Sequence, residues 1–540
     1  MKHIKVIIFV QLFSAVNILF AQDIYTLEWS KTESSQIISY TEDCPDALSH
    51  ECQKVRLDSE KNIIVAGSSL ENGSFDFLIV KYSNNGDLLW KHLLNPATGS
   101  VDYLTGILID DEDNIIVIGH SIQSNDIAKS IIIKISAVGD IIWQSTYSND
   151  YEWSFPRDLT LDDNGDIYLK GYINKDYYNG EIFVAKFDKH GTFIWDNIYS
   201  DDENGTYKGL KIRIVNEQIQ SLGYFQGSSP FDARMVFLKH DKNGNLIQSN
   251  ETSYLGQGGG LTSYFIDAQG NSYIGLFGTF KILKYNSDGS QQWTFTVPNN
   301  LPSNVIAEEV EDIISDSNGN VYITGRHYGE NYGNTSLYTN GDLQVVKISP
   351  EGNLIYDYNY QNLGTNAFDG GNKLFLGKDD CLVVGGQSQK NYISDYDYVA
   401  IVLNEFGKAI DTLRYSEQGD EVIKSVIMDD NLNFYVTGTG NGNTLTQKYF
   451  FQGVLDVKED YWVKDNISVY PNPFNEYINI GLNEKYNNID FRVFNSSGSI
   501  VGEFLNIVSG IRIDTHALLK GTYYYQIITE NYTHFGKLLK

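Results

Sequence analysis

KYSNNGDLLW, residues Lys81 to Trp90, places an indole four residues beyond the glycine of a polar turn. The piece returns as KISAVGDIIW (Lys134 to Trp143), KFDKHGTFIW (Lys186 to Trp195) and KYNSDGSQQW (Lys284 to Trp293). Before each comes an Asp/Asn/Gly turn and an alternating strand that ends in glycine, as in DSNGNVYITG. These glycines are Gly67, Gly119, Gly171, Gly223, Gly275, Gly325, Gly385 and Gly438, spaced by 52, 52, 52, 52, 50, 60 and 53 residues. Four short strands per unit at a period near 50 predict a β-propeller, in which twisted antiparallel sheets stack radially around an axis.

A blade has two apolar faces and cannot bury both alone, so the ring must close. Trp29, in YTLEWSKTES, precedes Gly67 by 38 residues, whereas Trp90, Trp143 and Trp195 precede their next glycines by 29, 28 and 28. The surplus matches the polar insertion TEDCPDALSHEC, and the segment around Trp29 reads as the outer strand that completes the last repeat. The expectation is an all-β chain with an eight-bladed propeller, or seven blades if one degenerate unit falls outside the ring. Trp29, Trp90, Trp143, Trp195 and Trp293 read as structural docks between neighbouring blades, because an aromatic locked to the period is a packing element. Gln248 and Tyr356 replace the tryptophan in two repeats.

The first 21 residues carry Lys2 and Lys5 ahead of an apolar run ending at Ala21, the pattern of a signal peptide cleaved before Gln22. Gln11, Ser14 and Asn17 interrupt that run, and nothing later is apolar enough to span a bilayer. Formal net charge is -29, and all the excess lies in the repeat region, since residues 467–540 hold six basic and six acidic residues. Such a field repels phosphate backbones, so nucleic acid is not an expected partner. Of three cysteines, Cys44 and Cys52 form the expected disulfide, and Cys381 reads as a buried strand residue.

No HExxH, GxSxG elbow or phosphate-binding glycine loop occurs, so no catalytic residue, metal ligand or cofactor is assigned. The turns at Asp162 to Asp166, Asp241 to Asn245 and Asp316 to Asn320 offer oxygen ligands suited to a structural calcium, but lack the downstream glutamate of an EF-hand, and the same residues suit a tight hairpin.

The turn-to-tryptophan piece, with Asp188, Gly191 and Trp195, resembles the docking motif of quinoprotein-type propellers, and the repeat looks like those of secreted bacterial β-propellers. The adjacent cysteines of quinoprotein dehydrogenases are missing, so the resemblance implies the fold and not that activity. Sialidase Asp-boxes differ in placing the aromatic three residues after the glycine.

Beyond the repeats, ISVYPNPFNEYINI, VFNSSGSIVGEF, IRIDTHALLKGTYYYQI and FGKLLK closely resemble the C-terminal sorting domain of the type IX secretion system of Bacteroidetes. The matching positions are Tyr470, Pro471, Asn472 and Pro473, then Gly498, Gly521 and Tyr523, and finally Lys537 and Lys540. The segment itself reads as a small Ig-like β-sandwich of about seven strands. The resemblance implies export by the type IX machinery, removal of the tail by its sortase, and release or attachment to surface lipopolysaccharide. The domains are then a signal peptide at 1–21, the propeller at 22–457, a linker at 458–466 and the sorting domain at 467–540.

The expected function is that of a secreted or cell-surface, non-catalytic binding protein for a protein or polysaccharide. The alternatives are a polysaccharide lyase or hydrolase with carboxylates in the channel, or a structural matrix protein. Propellers bind through the loops of one rim and the channel mouth. The longest departures from the repeat supply the candidate ligand loops: Gly329 to Asp342, flanked by Tyr328 and carrying Tyr332 and Tyr338, and Ser388 to Tyr398, with Tyr392, Tyr396 and Tyr398.

Overall fold

The computed structural model describes residues 25–33, 53–71, 73–96, 100–147, 153–175, 179–201, 205–229, 232–252, 260–276, 280–297, 309–327, 341–360, 368–389, 395–451, 467–470, 474, 476–482, 489–495, 500–507, 511–528 and 533–540. They fall into two compact units that divide between residues 452 and 453. The signal-peptide segment, Cys44 and Cys52, and the linker lie outside the described residues.

The first unit is a β-propeller. Lys54–Leu57, Ile63–Glu71, Ser74–Tyr82 and Leu88–Leu94 pair in chain order as one antiparallel sheet. The pattern recurs over residues 101–147, 153–199, 205–251, 261–296, 309–360 and 369–415. An eighth set, Glu421–Met428, Phe434–Gly440 and Asn443–Phe451, takes its fourth strand from the start of the chain, where Tyr25–Glu33 pairs antiparallel with Asn443–Phe451. These eight sets of four strands are numbered here as units 1 to 8; single parallel bridges, Ala128 to Trp153 and Gly180 to Thr206, join units 2 to 4 into one twelve-stranded sheet. Closure hides the second face of unit 8 against unit 1, where Tyr435 joins Val55, Val65 and Val80 in one apolar cluster.

Each second strand is buried along its length, as in Ile115–Ile122, because sheets press on it from both sides. The outer strands bury one face only. In six units the turn before the second strand is wired by its own aspartate, Asp58, Asp110, Asp162, Asp267, Asp316 or Asp429. Asp316 Oδ1 accepts the N–H groups of Asn318 and Asn320 at 2.9 and 2.8 Å, and Oδ2 accepts from Asn320 Nδ2 at 2.7 Å and Tyr322 at 3.3 Å. Asp162 holds its turn in the same way, and Asp241 does so for the turn between the third and fourth strands of unit 4, the geometry an Asx turn requires.

The tryptophans lean from one sheet onto the next. Trp29, Trp90, Trp143, Trp195 and Trp293 donate their indole N–H to Asn84, Ala137, Lys189, Lys242 and Pro350 carbonyls of the following unit at 2.9 to 3.3 Å. Each ring lies on the glycine of that turn. A Cβ added at Gly86, Gly139, Gly191, Gly244 or Gly352 would meet indole atoms at 2.6 to 3.0 Å, and these glycines also hold a positive φ. Gln248 and Asn250 substitute amides that bond the Asp288 carbonyl at 3.0 and 3.1 Å, and Tyr356 lies on Gly407.

The second unit is a sandwich. Ile467–Tyr470, Tyr477–Leu482 and Arg512–Asp514 form one sheet, and Ile500–Ile507, Ile489–Asn495, Thr522–Ile528 and Thr533–Leu539 the other. Ile478 and Ile480 from the first meet Phe491, Val493 and Ile527 from the second in one core.

Candidate functional site

The innermost strand of every unit faces the axis. In units 2 to 8 that strand carries a one-residue bulge at the same level, at Thr105, Arg157, Leu210, Thr262, Glu311, Asn372 and Lys424 in turn. A bulge re-aims the side chains around it, so this level differs from unit to unit while the flanking pairs do not. Residues of all eight units enclose a cavity of about 630 Å³ around the axis.

The walls of this cavity run against the charge of the chain. Lys54, Arg56, Lys211, Arg213, Lys373 and Lys424 line it, with Lys242 at one end, against Asp158, Asp162, Asp163, Glu217 and Asp312. The acids are largely committed. Asp158 accepts the Ile212 N–H at 2.9 Å and faces Lys211 at 3.4 Å, and Asp312 repeats this with Leu374 and Lys373 at 2.9 and 3.4 Å. Glu217 pairs with Lys242, and Asp162 is held by its own turn.

Several side chains near the bulge reach the next unit's backbone and stitch the ring together. Lys54 donates to the Thr105 carbonyl at 2.8 Å, Thr105 to Pro156 at 2.9 Å, and Asn372 to Ile423 at 2.9 Å. Lys424 makes no hydrogen bond or ion pair among the described residues. Burial lowers its pKa, Glu311 acts in the opposite sense, and Arg326 and Lys373 add to the lowering.

Towards the other end, aromatic rings follow one another across units 1 to 3. Phe75 and Tyr103 lie 5.2 Å apart, Tyr103 and His120 5.3 Å, His120 and Phe155 5.1 Å, and Phe155 and Tyr172 5.0 Å. Arg157 and Lys208 stand over the Tyr172 ring at 5.4 and 5.8 Å. Burial, with Arg157 beside it, holds Lys208 down to about 8. In unit 6, Arg326 binds Glu309 at 2.5 Å and Glu311 at 2.7 Å, and lies over Phe368 at 5.2 Å. Burial pushes Glu309 up to about 7, with Arg326 pulling it down and Glu311 pushing it up.

Arg326 sits one residue before the end of the strand that leads into the first candidate ligand loop. Tyr328, Tyr332, Tyr338 and Tyr392 lie outside the described residues. Tyr396 stands half-buried at the rim, its ring 5.7 Å from Phe368, and its N–H bonds Asp420 at 3.0 Å. Tyr398 requires a correction. It belongs to the strand Asp397–Leu403, is 1% exposed, and donates to the Leu445 carbonyl of unit 8 at 3.0 Å. Strand alternation points it into the packing between units 7 and 8, so it is a core residue and not a ligand contact.

Sequence reasoning missed the channel residues altogether. Their one signal is positional: Thr105, Arg157, Glu311 and Lys424 each stand fourteen residues before the glycine of the second strand. Among the described residues no group of three or more His, Cys, Asp or Glu side chains is placed to hold a metal ion.

In the tail, the Tyr523 hydroxyl donates back to Leu519 at 2.7 Å, and Gly521 and Lys540 exchange backbone hydrogen bonds at 3.1 and 3.0 Å. The Lys540 ammonium bonds the Thr515 carbonyl and lies over Phe474. Nothing crowds a Cβ at Gly521, so the packing of this unit does not demand glycine there. Tyr470 and Lys537 lie in strands, while Pro471, Asn472, Pro473 and Gly498 are outside the described residues. Residues 468–540 match the secretion system C-terminal sorting domain. The tail is a type IX sorting domain of the Bacteroidetes type. It engages the type IX machinery and addresses the chain for export to the cell surface or beyond it.

The rest of the chain has distant relatives. An uncharacterized WD repeat-containing protein of Acanthamoeba polyphaga mimivirus is 24% identical over 33% of this chain, which spans 18% of that protein's length. Propeller-like solved structures include virginiamycin B lyase of Staphylococcus aureus, with 11% identity over 64% of this chain and 94% of that one, at a TM-score of 0.38. A puromycin hydrolase mutant shares 10% identity over 75% and 61%, at 0.44, and Drosophila Plexin A bound to Semaphorin 1b 9% over 79% and 87%, at 0.38.

Proposed function

We propose that this exported chain is a non-catalytic binding protein, taking a protein or polysaccharide at the channel and the rim that carries Tyr396 and Phe368. The observation that carries the reading is the cavity of about 630 Å³ on the axis, walled by side chains from all eight units. Its size falls among those of small-molecule sites, roughly 300 to 1,000 Å³. Rigid walls of paired strands hold the lining side chains in place, which lowers the entropy lost on binding. After the tail is removed, release or attachment to surface lipopolysaccharide would place this site outside the cell.

One observation favours a second reading, a polysaccharide lyase or hydrolase: Glu309 and Glu311 share Arg326, and Glu309 is pushed up to about 7, a range suited to proton transfer near neutrality. Immobilised secreted chain exposed to a panel of polysaccharides and matrix proteins tests the binding reading. Retention of a panel member that is lost on R157A/K208A substitution supports the channel mouth; retention unchanged by that double substitution removes the mouth from the account.

A further inference from the structure

Lys424 stands on the channel wall with no hydrogen bond or ion pair among the described residues. Its neighbours on the axis are matched: Lys373 faces Asp312, Lys211 faces Asp158, and Arg326 holds both Glu309 and Glu311. Lys54 has the Thr105 carbonyl, and Asn372, one unit before Lys424, has the Ile423 carbonyl. Only the charges of Glu311, favourable, and of Arg326 and Lys373, unfavourable, act on the Lys424 ammonium. A half-buried ammonium beside two other cations gains when an anion joins it.

The ring around it has room for that anion together with an organic body, since Lys424 opens on the cavity of about 630 Å³. Lys54, Arg56 and Arg213 donate to backbone carbonyls, which cancel no charge, and the lining sets seven cations against five carboxylates, so the cavity holds an excess of positive charge inside a chain that carries -29. A carboxylate brings one charge and two acceptor oxygens, which suits one ammonium.

We propose that the channel binds a carboxylate-bearing ligand, with its carboxylate on the Lys424 ammonium and its body in the axial cavity. The inference rests on the binding reading above and names its ligand class. The carboxylate comes either from uronate residues of an acidic polysaccharide or from a free sugar acid.

Calorimetric titration of the secreted chain tests this with three probes: hexagalacturonate, glucuronate and the neutral maltohexaose. Wild-type chain is expected to bind an acidic probe at least about 10-fold more tightly than maltohexaose, K424Q to lose about 10-fold or more of that affinity, and K424R to keep it. Binding of hexagalacturonate alone assigns a polysaccharide, and equal binding of glucuronate a free acid. K424M, which keeps the apolar stem and removes the charge, replaces K424Q if that variant does not fold. Acid binding unchanged in the charge-removing variant, or no preference for acid over maltohexaose, overturns the inference. If a neutral glycan or a protein is retained while acids are not, the channel inference fails and the binding reading stands; if nothing is retained, both fail.

Discussion

The backbone N–H of Tyr25 donates to Asp411 Oδ2 at 2.8 Å, joining residues 386 apart in the chain. Asp411 stands four residues beyond Gly407, the place that tryptophan holds after Gly86, Gly139, Gly191 and Gly289. Unit 8 has no turn between its third and fourth strands, because the fourth comes from the other end of the chain. With no turn glycine to cover, an indole has nothing to dock on, and a carboxylate instead pins the first residue of the closing strand. Asp411→Ala is expected to lower stability by about 1 to 3 kcal/mol, the range of a charge-assisted hydrogen bond, and Asp411→Asn by less. Urea denaturation followed by tryptophan fluorescence checks this, and an unchanged midpoint in the alanine variant would show that the clasp does not hold the ring.

The indole docks predict a contrast between two glycines. Gly191 has φ +81° and a Cβ there would lie 2.7 Å from Trp143, whereas Gly165 has φ +80° and only Lys189 Cβ at 3.6 Å. Gly165→Ala carries the backbone strain alone, about 1 to 2 kcal/mol. Gly191→Ala adds displacement of the ring and is expected to lose at least about twice as much. Equal losses in chemical denaturation would mean that the indole yields freely.

The periodic part of this fold is legible because packing repeats it: glycines under indoles, aspartates in Asx turns and apolar second strands recur at one spacing. Closure is legible too, from the longer interval between Trp29 and Gly67. Asp411 is not, since one acid among 69 carries no mark until the strand it clasps is in place. Tyr398 misleads because its neighbours are polar, although the strand that buries it starts at Asp397. The channel residues are hidden for a different reason. At the bulge, Thr105, Arg157, Glu311 and Lys424 occupy one level with four chemistries, and a position free of packing constraint leaves no period to read.

His120 lies between the Tyr103 and Phe155 rings with neither ring nitrogen hydrogen-bonded among the described residues, and burial lowers its pKa to about 4. The unfolded state takes up a proton near pH 6.5 that the folded state refuses, so this group weakens the fold as pH falls from about 6.5 to about 4. His120→Phe is expected to stabilise by about 1 to 2 kcal/mol at pH 7, with a larger gain at pH 5. Thermal unfolding at both values checks the sign, and a destabilised variant at pH 5 would contradict it.

Glu421 should show the opposite slope. It is 1% exposed; Oε2 accepts the Glu417 N–H at 3.2 Å and Oε1 has no hydrogen-bond partner among the described residues. Burial, reinforced by Asp397, pushes its carboxyl up to about 7. The folded state therefore keeps a proton that the unfolded state releases near 4.5, and stability falls as pH rises from there to about 7. Glu421→Gln removes that fall, so its advantage over wild type should grow by about 2 to 3 kcal/mol between pH 5 and pH 8. A difference independent of pH would place the proton elsewhere.

Export predicts a shortened product. Protein recovered outside the cell should begin at Gln22 and end before Tyr477, with cleavage in or just beyond the linker at 458–466. Intact mass decides this, and a mature chain that keeps residues beyond Tyr477 would contradict processing at that place.

The binding account is tested most directly by mass spectrometry of everything present after the secreted chain is incubated with acidic and neutral polysaccharides and with matrix proteins. The account predicts one class of ligand recovered at its original mass, held by the protein and released without new ends. New fragments that increase with protein concentration and vanish on substitution of Glu309 or Glu311 would contradict it and make the Arg326 carboxylates catalytic.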